Sequence, residues 1–245
     1  MTWYAKPKGE YSRTSPEGLQ NIFAYRTAFS TWSLESVCGM LGNIQAESGL
    51  NPWRWQGDRF GTSRGYGLYQ FTPASGYIYL SGATPNLSVE YQTSGATPED
   101  AERQIQAFRT NELGKWNNTC WRSYWNDDYG NPLYSDLWTY RAQVLSSWGS
   151  GGTISIAEFS ECTDMYDATF IFLACFEGPK VPNLGARNRN TAAMYTILTG
   201  DPPPTPPEPP IPPPPPEPPV GDFDINKFLM CYANKRKRKK KVRYV

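Results

Sequence analysis

Glu47 is the residue of this sequence whose type and position first suggest chemistry. It lies in the last turn of a predicted helix that Ser33 caps and that stops at Gly49, in which apolar residues recur at steps of three and four, as on one face of a helix. On a helical wheel Glu47 falls at the edge of that face, at the carboxyl end of the helix. Partial burial and the helix dipole both disfavour the anion there, so we expect an acid that keeps its proton near neutral pH, as protonation of a glycosidic oxygen requires. The alternative is a structural carboxylate at the edge of the core, paired with Arg54 or Arg59.

A glycine-rich segment downstream supplies polar groups for a ligand. Residues Gly65–Pro73 read GYGLYQFTP, which predicts a turn into a short strand or a second helix. The glycines on both sides of Tyr66 allow a ligand to approach the backbone closely. Gln70 can donate hydrogen bonds to a sugar amide or hydroxyl and accept them. A hairpin with core aromatic residues is the alternative for this segment.

The composition argues against hydrolases that use a zinc ion or a histidine base behind a serine or cysteine nucleophile. The chain has no histidine, the usual zinc ligand and the usual base behind a serine or cysteine nucleophile. The five cysteines are odd in number and show no CxxC spacing, so neither a disulfide framework nor a metal site is predicted. Cys38 and Cys175 lie in apolar helical patterns and are expected to be small buried hydrophobic residues. We expect no metal and no cofactor, so that any hydrolytic chemistry must use carboxylates, lysine, tyrosine or a nucleophile without a histidine base.

Three regions of different composition follow one another along the chain. Residues 1–200 predict a mainly helical globular domain that is slightly acidic. Residues 201–220, which are mostly proline, predict a polyproline linker, with a docking site for a proline-binding module as the alternative. Residues 221–245 predict a short helix and a basic tail, either a solubilising tail or an attachment to a polyanion such as nucleic acid or anionic wall polymer. The N-terminus lacks the apolar core of a secretory signal. The apolar run FIFLACF is too short to span a bilayer.

Helix signals organise the globular region. The segment 115–152, rich in tryptophan, tyrosine, asparagine and glycine, shows no clear period and is expected to be an irregular insertion, with a hairpin at Asp128–Asn131. Helices are predicted from Ser15 to Phe29, from Ser33 to Gly49, from Thr97 to Leu113, over Ile156–Glu161, from Thr163 to Phe176 and from Arg189 to Leu198.

Three segments together resemble one known family. CGMLGNIQAESGLNP, then GYGLYQFTPASGY, then FIFLACFEGP, in this order, resemble the phage tail lysozyme domain, a cell-wall-degrading domain on the tail tips of small bacteriophages. The pattern is also similar to the wider lysozyme and lytic transglycosylase superfamily. The resemblance covers roughly residues 20–200 and implies a lysozyme-like fold of the mainly α, α+β kind.

The resemblance also implies roles for single residues. It implies that Glu47 is the general acid on the bond between N-acetylmuramic acid and N-acetylglucosamine, in a cleft lined by Tyr66, Gln70, Phe176 and Glu177.

The identity of a second carboxylate stays open in the sequence. An inverting lysozyme needs a base that holds a water on the opposite face of the sugar. Asp58 is the first candidate, with Thr62 helping to hold the water, and Glu177 is the second. A lytic transglycosylase needs no such base, because a hydroxyl of the substrate closes onto the anomeric carbon.

The function implied by the resemblance is a phage enzyme that cleaves peptidoglycan glycan strands. We expect it in the virion, at the tail tip, opening the host wall for genome ejection and contacting other tail proteins, with the basic tail on DNA or anionic wall polymer. A free lysis enzyme and a lytic transglycosylase are alternatives of the same fold. A non-catalytic wall-binding tail protein and a nucleic-acid-binding protein are alternatives of other classes.

Overall fold

The computed structural model describes residues 3–80, 98–125 and 132–205 of the 245-residue chain. These residues are mainly helical, and their β structure is limited to isolated bridges such as the one between Trp55 and Tyr66. The mainly α fold class is therefore confirmed. The described α-helices are α1 (Pro16–Ala28), α2 (Leu34–Glu47), α3 (Ala74–Leu80), α4 (Pro98–Arg109), α5 (Pro132–Trp148), α6 (Ile156–Ser160), α7 (Met165–Phe172) and α8 (Leu184–Thr199).

Local capping residues start several of these helices where the sequence predicts. Ser15 accepts a hydrogen bond from the Gly18 amide (3.1 Å) at α1. Ser33 accepts one from the Ser36 amide (3.1 Å) at α2. Asp164 caps α7 through two amides. Each cap satisfies amides that the first helical turn leaves without a partner, so a side chain one turn away fixes the start of the helix.

Helix α2 is buried along most of its length and packs against α7 and α8. Two glycines allow this approach. A methyl group on Gly39 would lie 2.7 Å from the main chain at Ala168 of α7, and one on Gly42 would lie 2.0 Å from Thr191 Oγ1 of α8. The close packing brings the start of α8 beside the end of α2, where Glu47 lies.

The segment 115–152 is not irregular throughout, contrary to the prediction. Residues Pro132–Trp148 form α5, the longest described helix. Its residues Leu137 and Val144 are buried, and the Tyr140 hydroxyl and the Trp148 indole both donate to Asp167 of α7. These tertiary contacts, rather than a clear apolar period, hold the helix in place. The predicted hairpin at 128–131 lies outside the described residues.

Cysteine pairing is a second correction. Cys120 and Cys175 form a disulfide, whereas Cys175 was expected to be a free buried thiol. The odd cysteine count and the absence of a recognisable spacing gave no indication of this pair. Cys38 is free and buried, as predicted, and so is Cys162.

Three helix boundaries also differ from the prediction. Helix α7 ends at Phe172 and continues as a π-helical turn, Leu173–Glu177. Helix α8 begins at Leu184, earlier than the predicted start at Arg189. The prediction missed this start because Asn183 makes no side-chain capping bond there. Helix α4 ends at Arg109, and its predicted cap at Thr97 lies outside the described residues.

The C-terminal regions lie mostly outside the described residues. Residues 201–205 are exposed and without regular structure, and the rest of the predicted linker and the whole basic tail fall in 206–245. Among the described helices, none combines the length and the apolar character needed to cross a membrane.

Candidate active site

A cavity of about 440 Å³ opens at the carboxyl end of α2. We call it the Glu47 cavity. Two carboxyl side chains, Glu47 and Glu177, line it. The remaining lining residues are Arg54, Gln56, Gly57, Tyr69, Gln70, Thr72, Lys115, Phe176, Gly178, Pro179 and Lys180. The cavity thus brings together the ends of two helical segments, α2 and the π-helical turn, with the two loops at 54–57 and 69–72.

Glu47 is the last residue of α2, and the chain turns sharply after Ser48. Gly49 and Leu50 both have positive φ (57° and 61°), so the helix cannot continue. The Glu47 side chain is 22% exposed, on the cavity side of the helix end. The helix terminus therefore presents the carboxyl group at the edge of the core, as the apolar pattern of α2 predicts.

Arg187 is the ion-pair partner of Glu47, and no pattern in the sequence indicates this pair. This arginine lies in the first turn of α8, buried at 5% exposure, and its guanidinium donates to Glu47 Oε1. It also donates to Asn43 Oδ1 (2.9 Å) and to the Pro182 carbonyl (3.1 Å). Because 140 residues separate the two partners, only the packing of α8 on α2 brings them together.

Arg54, which the sequence offered as a partner of Glu47, pairs elsewhere. Its guanidinium contacts Glu10, and its Nε lies 3.5 Å from Asp58 Oδ1. The Asp58 carboxylate also accepts a hydrogen bond from the Gly9 amide (2.9 Å). These contacts hold the 54–58 loop against the N-terminal segment.

Asp58 and Thr62 are not among the residues that line the Glu47 cavity. The loop containing Asp58 reaches the cavity through Gln56 and Gly57 instead. Thr62 is exposed, and its carbonyl accepts from the Ser75 amide (2.9 Å). The threonine of the cavity wall is Thr72.

Tyr66 and Gln70 have different places in their loop. Tyr66 is fully buried, is not among the cavity-lining residues, and donates from its hydroxyl to Asp100 (2.7 Å). Gln70 lines the cavity, and its amide nitrogen donates to the carbonyls of Gly67 (2.9 Å) and Arg54 (3.1 Å). Gln70 thus joins the two loops that form this wall, while Tyr66 fixes the loop from the core side.

Phe176 and Glu177 both line the cavity, at the end of the π-helical turn. The Phe176 ring packs edge to face on Tyr69 (5.5 Å between centroids) and on Phe108 (4.9 Å). Gly178 then takes a left-handed conformation (φ 52°), which ends the turn directly after Glu177.

The carboxyl group of Glu177 is in an unusual environment. The residue as a whole is half-buried, but its Oε1 is fully enclosed and has no hydrogen-bond partner among the described residues. Burial, followed by the negative charge of Glu47, raises the pKa of Glu177 well above its ordinary value. Arg187, Lys115 and Arg122 oppose this shift. The cavity therefore holds one carboxyl group in an ion pair with a guanidinium and a second one that retains its proton to higher pH.

Comparison with known proteins identifies the family. The model of the phage tail lysozyme family matches residues 19–198. The chain belongs to the phage tail lysozyme family. It is 29% identical over 171 residues to morphogenesis protein 1 of Bacillus phage B103, an alignment that covers 69% of this chain and 36% of that protein. The chain thus spans about a third of the length of that relative. The Glu47 cavity lies inside the segment matched by the phage tail lysozyme model.

Proposed function

We propose that this phage tail lysozyme cleaves the glycan strands of bacterial peptidoglycan at the bond between N-acetylmuramic acid and N-acetylglucosamine, with Glu47 as a catalytic residue. The observation that supports this most is the position of Glu47, at a helix end in a cavity that also contains a second carboxyl group. Family membership supports the same reaction class.

The pair of carboxyl groups fits the requirement of glycoside cleavage. Such enzymes need one carboxyl group to protonate the leaving oxygen and, for hydrolysis, a second one to act on water or on the anomeric carbon. Glu47 and Glu177 both line the cavity, whereas Asp58 is held by Gly9 and Arg54 outside the lining. The geometry therefore favours Glu177 over Asp58 as the second carboxyl group.

Uncharged polar and aromatic side chains of the cavity wall could bind the parts of the sugar that the carboxyl groups do not contact. Gln70 and Thr72 offer polar atoms at the cavity, and Phe176 offers an apolar surface next to the carboxyl pair. Sugars are bound by this combination of hydrogen-bonding groups and flat apolar faces. We include Gln70 and Phe176 in the substrate-binding wall and assign Tyr66 a supporting role behind it.

The test is the release of sugars from purified peptidoglycan by the wild type and by Glu47→Gln, identified by mass spectrometry. The wild type should release muropeptides, and the variant should release at least about 100-fold less, the usual loss when a proton-transfer group is removed. Glu35→Gln, at the opposite end of α2, is the control and should keep full activity. A wild type that releases nothing from several wall types would refute the enzyme and favour a wall-binding protein.

The product ends of the same experiment separate the two reactions of this fold. Reducing muramic ends show hydrolysis by water. Anhydro ends show a lytic transglycosylase, in which a substrate hydroxyl replaces water. We propose hydrolysis, because the cavity supplies the second carboxyl group that activation of water requires.

We further propose that the protein is part of the virion and acts on the wall at the start of infection. The relative from phage B103 is named for morphogenesis, which favours a component of the particle over a free lysis enzyme. The proline-rich segment 201–220 would be a spacer, and the basic tail 221–245 would bind tail proteins, DNA or anionic wall polymer. Mass spectrometry of purified phage particles should detect the chain. Its presence only in the soluble lysate would support the free lysis enzyme.

A further inference from the structure

The Glu47 cavity is too small to enclose a glycan strand. Its volume of about 440 Å³ lies in the range of sites that enclose a single small molecule, about 300–1000 Å³. The substrate of the proposed function is a polymer, with sugar rings on both sides of the bond that is cleaved. The strand must therefore leave the cavity across its rim, and a surface that binds further sugars should adjoin that rim.

One side of this rim is the segment 178–180, which follows the π-helical turn and lines the cavity. The Tyr124 hydroxyl donates to the Gly178 carbonyl, and the Trp125 indole donates to the Pro179 carbonyl (3.0 Å). A methyl group on Gly178 would lie 2.9 Å from the Tyr124 hydroxyl oxygen, so a glycine at this position leaves room for the contact. Tyr124 is not a cavity-lining residue itself, but it is bonded directly to one.

The Tyr124 ring is exposed to solvent and supported from behind. Its exposed fraction is 43%, whereas Trp125, whose ring meets it edge to face (6.2 Å between centroids), is fully buried. Trp121 in turn packs edge to face on Trp125 (5.1 Å) and on Trp138 of α5 (4.9 Å). Because its hydroxyl is bonded and its ring is packed, Tyr124 has little conformational freedom to lose when a ligand binds.

The rim does not depend on the Tyr124 side chain for its attachment. The Cys120–Cys175 disulfide joins the two segments covalently, and the Arg122 guanidinium donates to the carbonyls of Cys175 and Phe176 (2.9 Å each). Single exposed aromatic residues are common on protein surfaces. Tyr124 differs in that it is held in a fixed orientation at the edge of the candidate active site, as a preformed binding surface would be.

We propose that Tyr124 is a sugar-binding residue outside the Glu47 cavity, and that its ring stacks on a hexosamine ring of the glycan strand beyond the rim 178–180. The proposal rests on the proposed glycan cleavage. A pyranose ring has a face of C–H groups that packs on a flat aromatic ring, while its hydroxyl and acetamido groups remain in water. Because this contact lies outside the cavity, it contributes to binding of the strand and not to proton transfer.

The first experiment measures binding of the full chain to purified peptidoglycan by sedimentation. All proteins carry Glu47→Gln, so that the wall is not degraded, and about 0.5 M salt weakens attachment by the basic tail. Tyr124→Ala and Tyr124→Leu, which lack a flat ring, should bind about 5- to 20-fold more weakly. Tyr124→Phe keeps the ring and its packing on Trp125, so it should bind within about twofold of the parent. Phe23→Ala removes an exposed ring from α1, no residue of which lines the cavity, and should bind like the parent.

The second experiment measures cleavage of long and short glycans by proteins that retain Glu47. On long strands, Tyr124→Ala should raise KM by about 5- to 20-fold and leave kcat nearly unchanged, as expected when a binding contact away from the reacting atoms is lost. On the shortest glycan fragment that the wild type cleaves, the two proteins should differ in kcat/KM by less than about twofold. A structural role of Tyr124 would lower activity on both lengths alike, and that result would overturn the proposal.

The binding data can also contradict the proposal. Unchanged binding of Tyr124→Ala would overturn it. A loss in Tyr124→Phe as large as in Tyr124→Ala would assign the effect to the hydroxyl bond with Gly178 instead of the ring. A similar loss in Phe23→Ala would show that the effect is not specific to this rim.

These outcomes separate the sugar-binding site from the proposed function. If the wild type releases sugars and Tyr124→Ala binds and cleaves like it, glycan cleavage stands and the Tyr124 site fails. If binding depends on the Tyr124 ring but the wild type releases no sugars, the binding site stands and the proposed cleavage fails.

Discussion

Replacing Glu177 by glutamine should change how the stability of the protein depends on pH. In the folded protein burial and the Glu47 charge raise the pKa of Glu177 well above the ordinary value of 4.5. In the unfolded chain the same carboxyl group is hydrated and far from Glu47, so it titrates near that ordinary value. Between the two values the folded state binds a proton that the unfolded state has lost.

The sign and the size of the effect follow from this difference. When the folded state binds more protons, the free energy of unfolding falls as pH rises. Glu177 therefore stabilises the fold fully below the unfolded pKa, and this contribution is lost as pH rises towards the folded pKa. The slope for one proton is about 1.4 kcal/mol per pH unit. Glutamine does not titrate. Between the unfolded and the folded pKa of Glu177, the Glu177→Gln variant should therefore gain that amount of stability over wild type for each pH unit.

The assay is urea denaturation followed by tryptophan fluorescence, at intervals of about half a pH unit from about pH 4 upwards. Subtracting wild type from Glu177→Gln at each pH cancels the titration of groups that do not interact with Glu177, including Asp100 and Asp167. The difference in free energy of unfolding should increase as pH rises above the range in which an ordinary glutamate titrates. It should level off at the pH where Glu177 of the folded protein has lost its proton. A difference that stays constant within about 0.5 kcal/mol would refute the enclosed, protonated carboxyl group.

Two further predictions concern the groups that hold the carboxyl pair in place. Arg187→Met should lower the free energy of unfolding by about 3–5 kcal/mol, because it leaves a carboxylate, an amide oxygen and a main-chain carbonyl without their buried donor. Urea denaturation at neutral pH measures this change, and a loss below about 1 kcal/mol would contradict the ion pair. Reducing the Cys120–Cys175 disulfide, which links positions 55 residues apart, should lower the free energy of unfolding by about 4 kcal/mol and should lower glycan cleavage by loosening the turn at Glu177. Equal midpoints of urea unfolding with and without reductant would show that the bond is not formed.

The sequence predicts those parts of the fold that depend on contacts within one helical turn. The caps at Ser15, Ser33 and Asp164 are each made by a side chain to amides two or three residues away. The apolar period of α2 likewise shows which face is buried and places Glu47 at its edge. Helix α5 was missed because its place depends on contacts with Asp167 of another helix.

The candidate site likewise has features that the sequence predicts and features that depend on the tertiary structure. The sequence alone predicts that Glu47 lies in the last turn of a buried helix and that Gln70, Phe176 and Glu177 belong to segments of a lysozyme-like pattern. The fold decided which of the predicted residues share a cavity: it brings Gln70, Phe176 and Glu177 to Glu47 and leaves Asp58, Thr62 and Tyr66 out of the lining.

Only the tertiary structure supplied the partners that set the chemistry of these residues. Arg187 reaches Glu47 across 140 residues of sequence, and Cys120 reaches Cys175 across 55. The first contact depends on Gly42 of α2, which lets α8 approach closely. A pattern within one segment specifies its hydrogen bonds and its buried face, because these are local. The charge state of a carboxyl group depends on desolvation and on charges a few ångströms away in space, and packing alone brings those charges together.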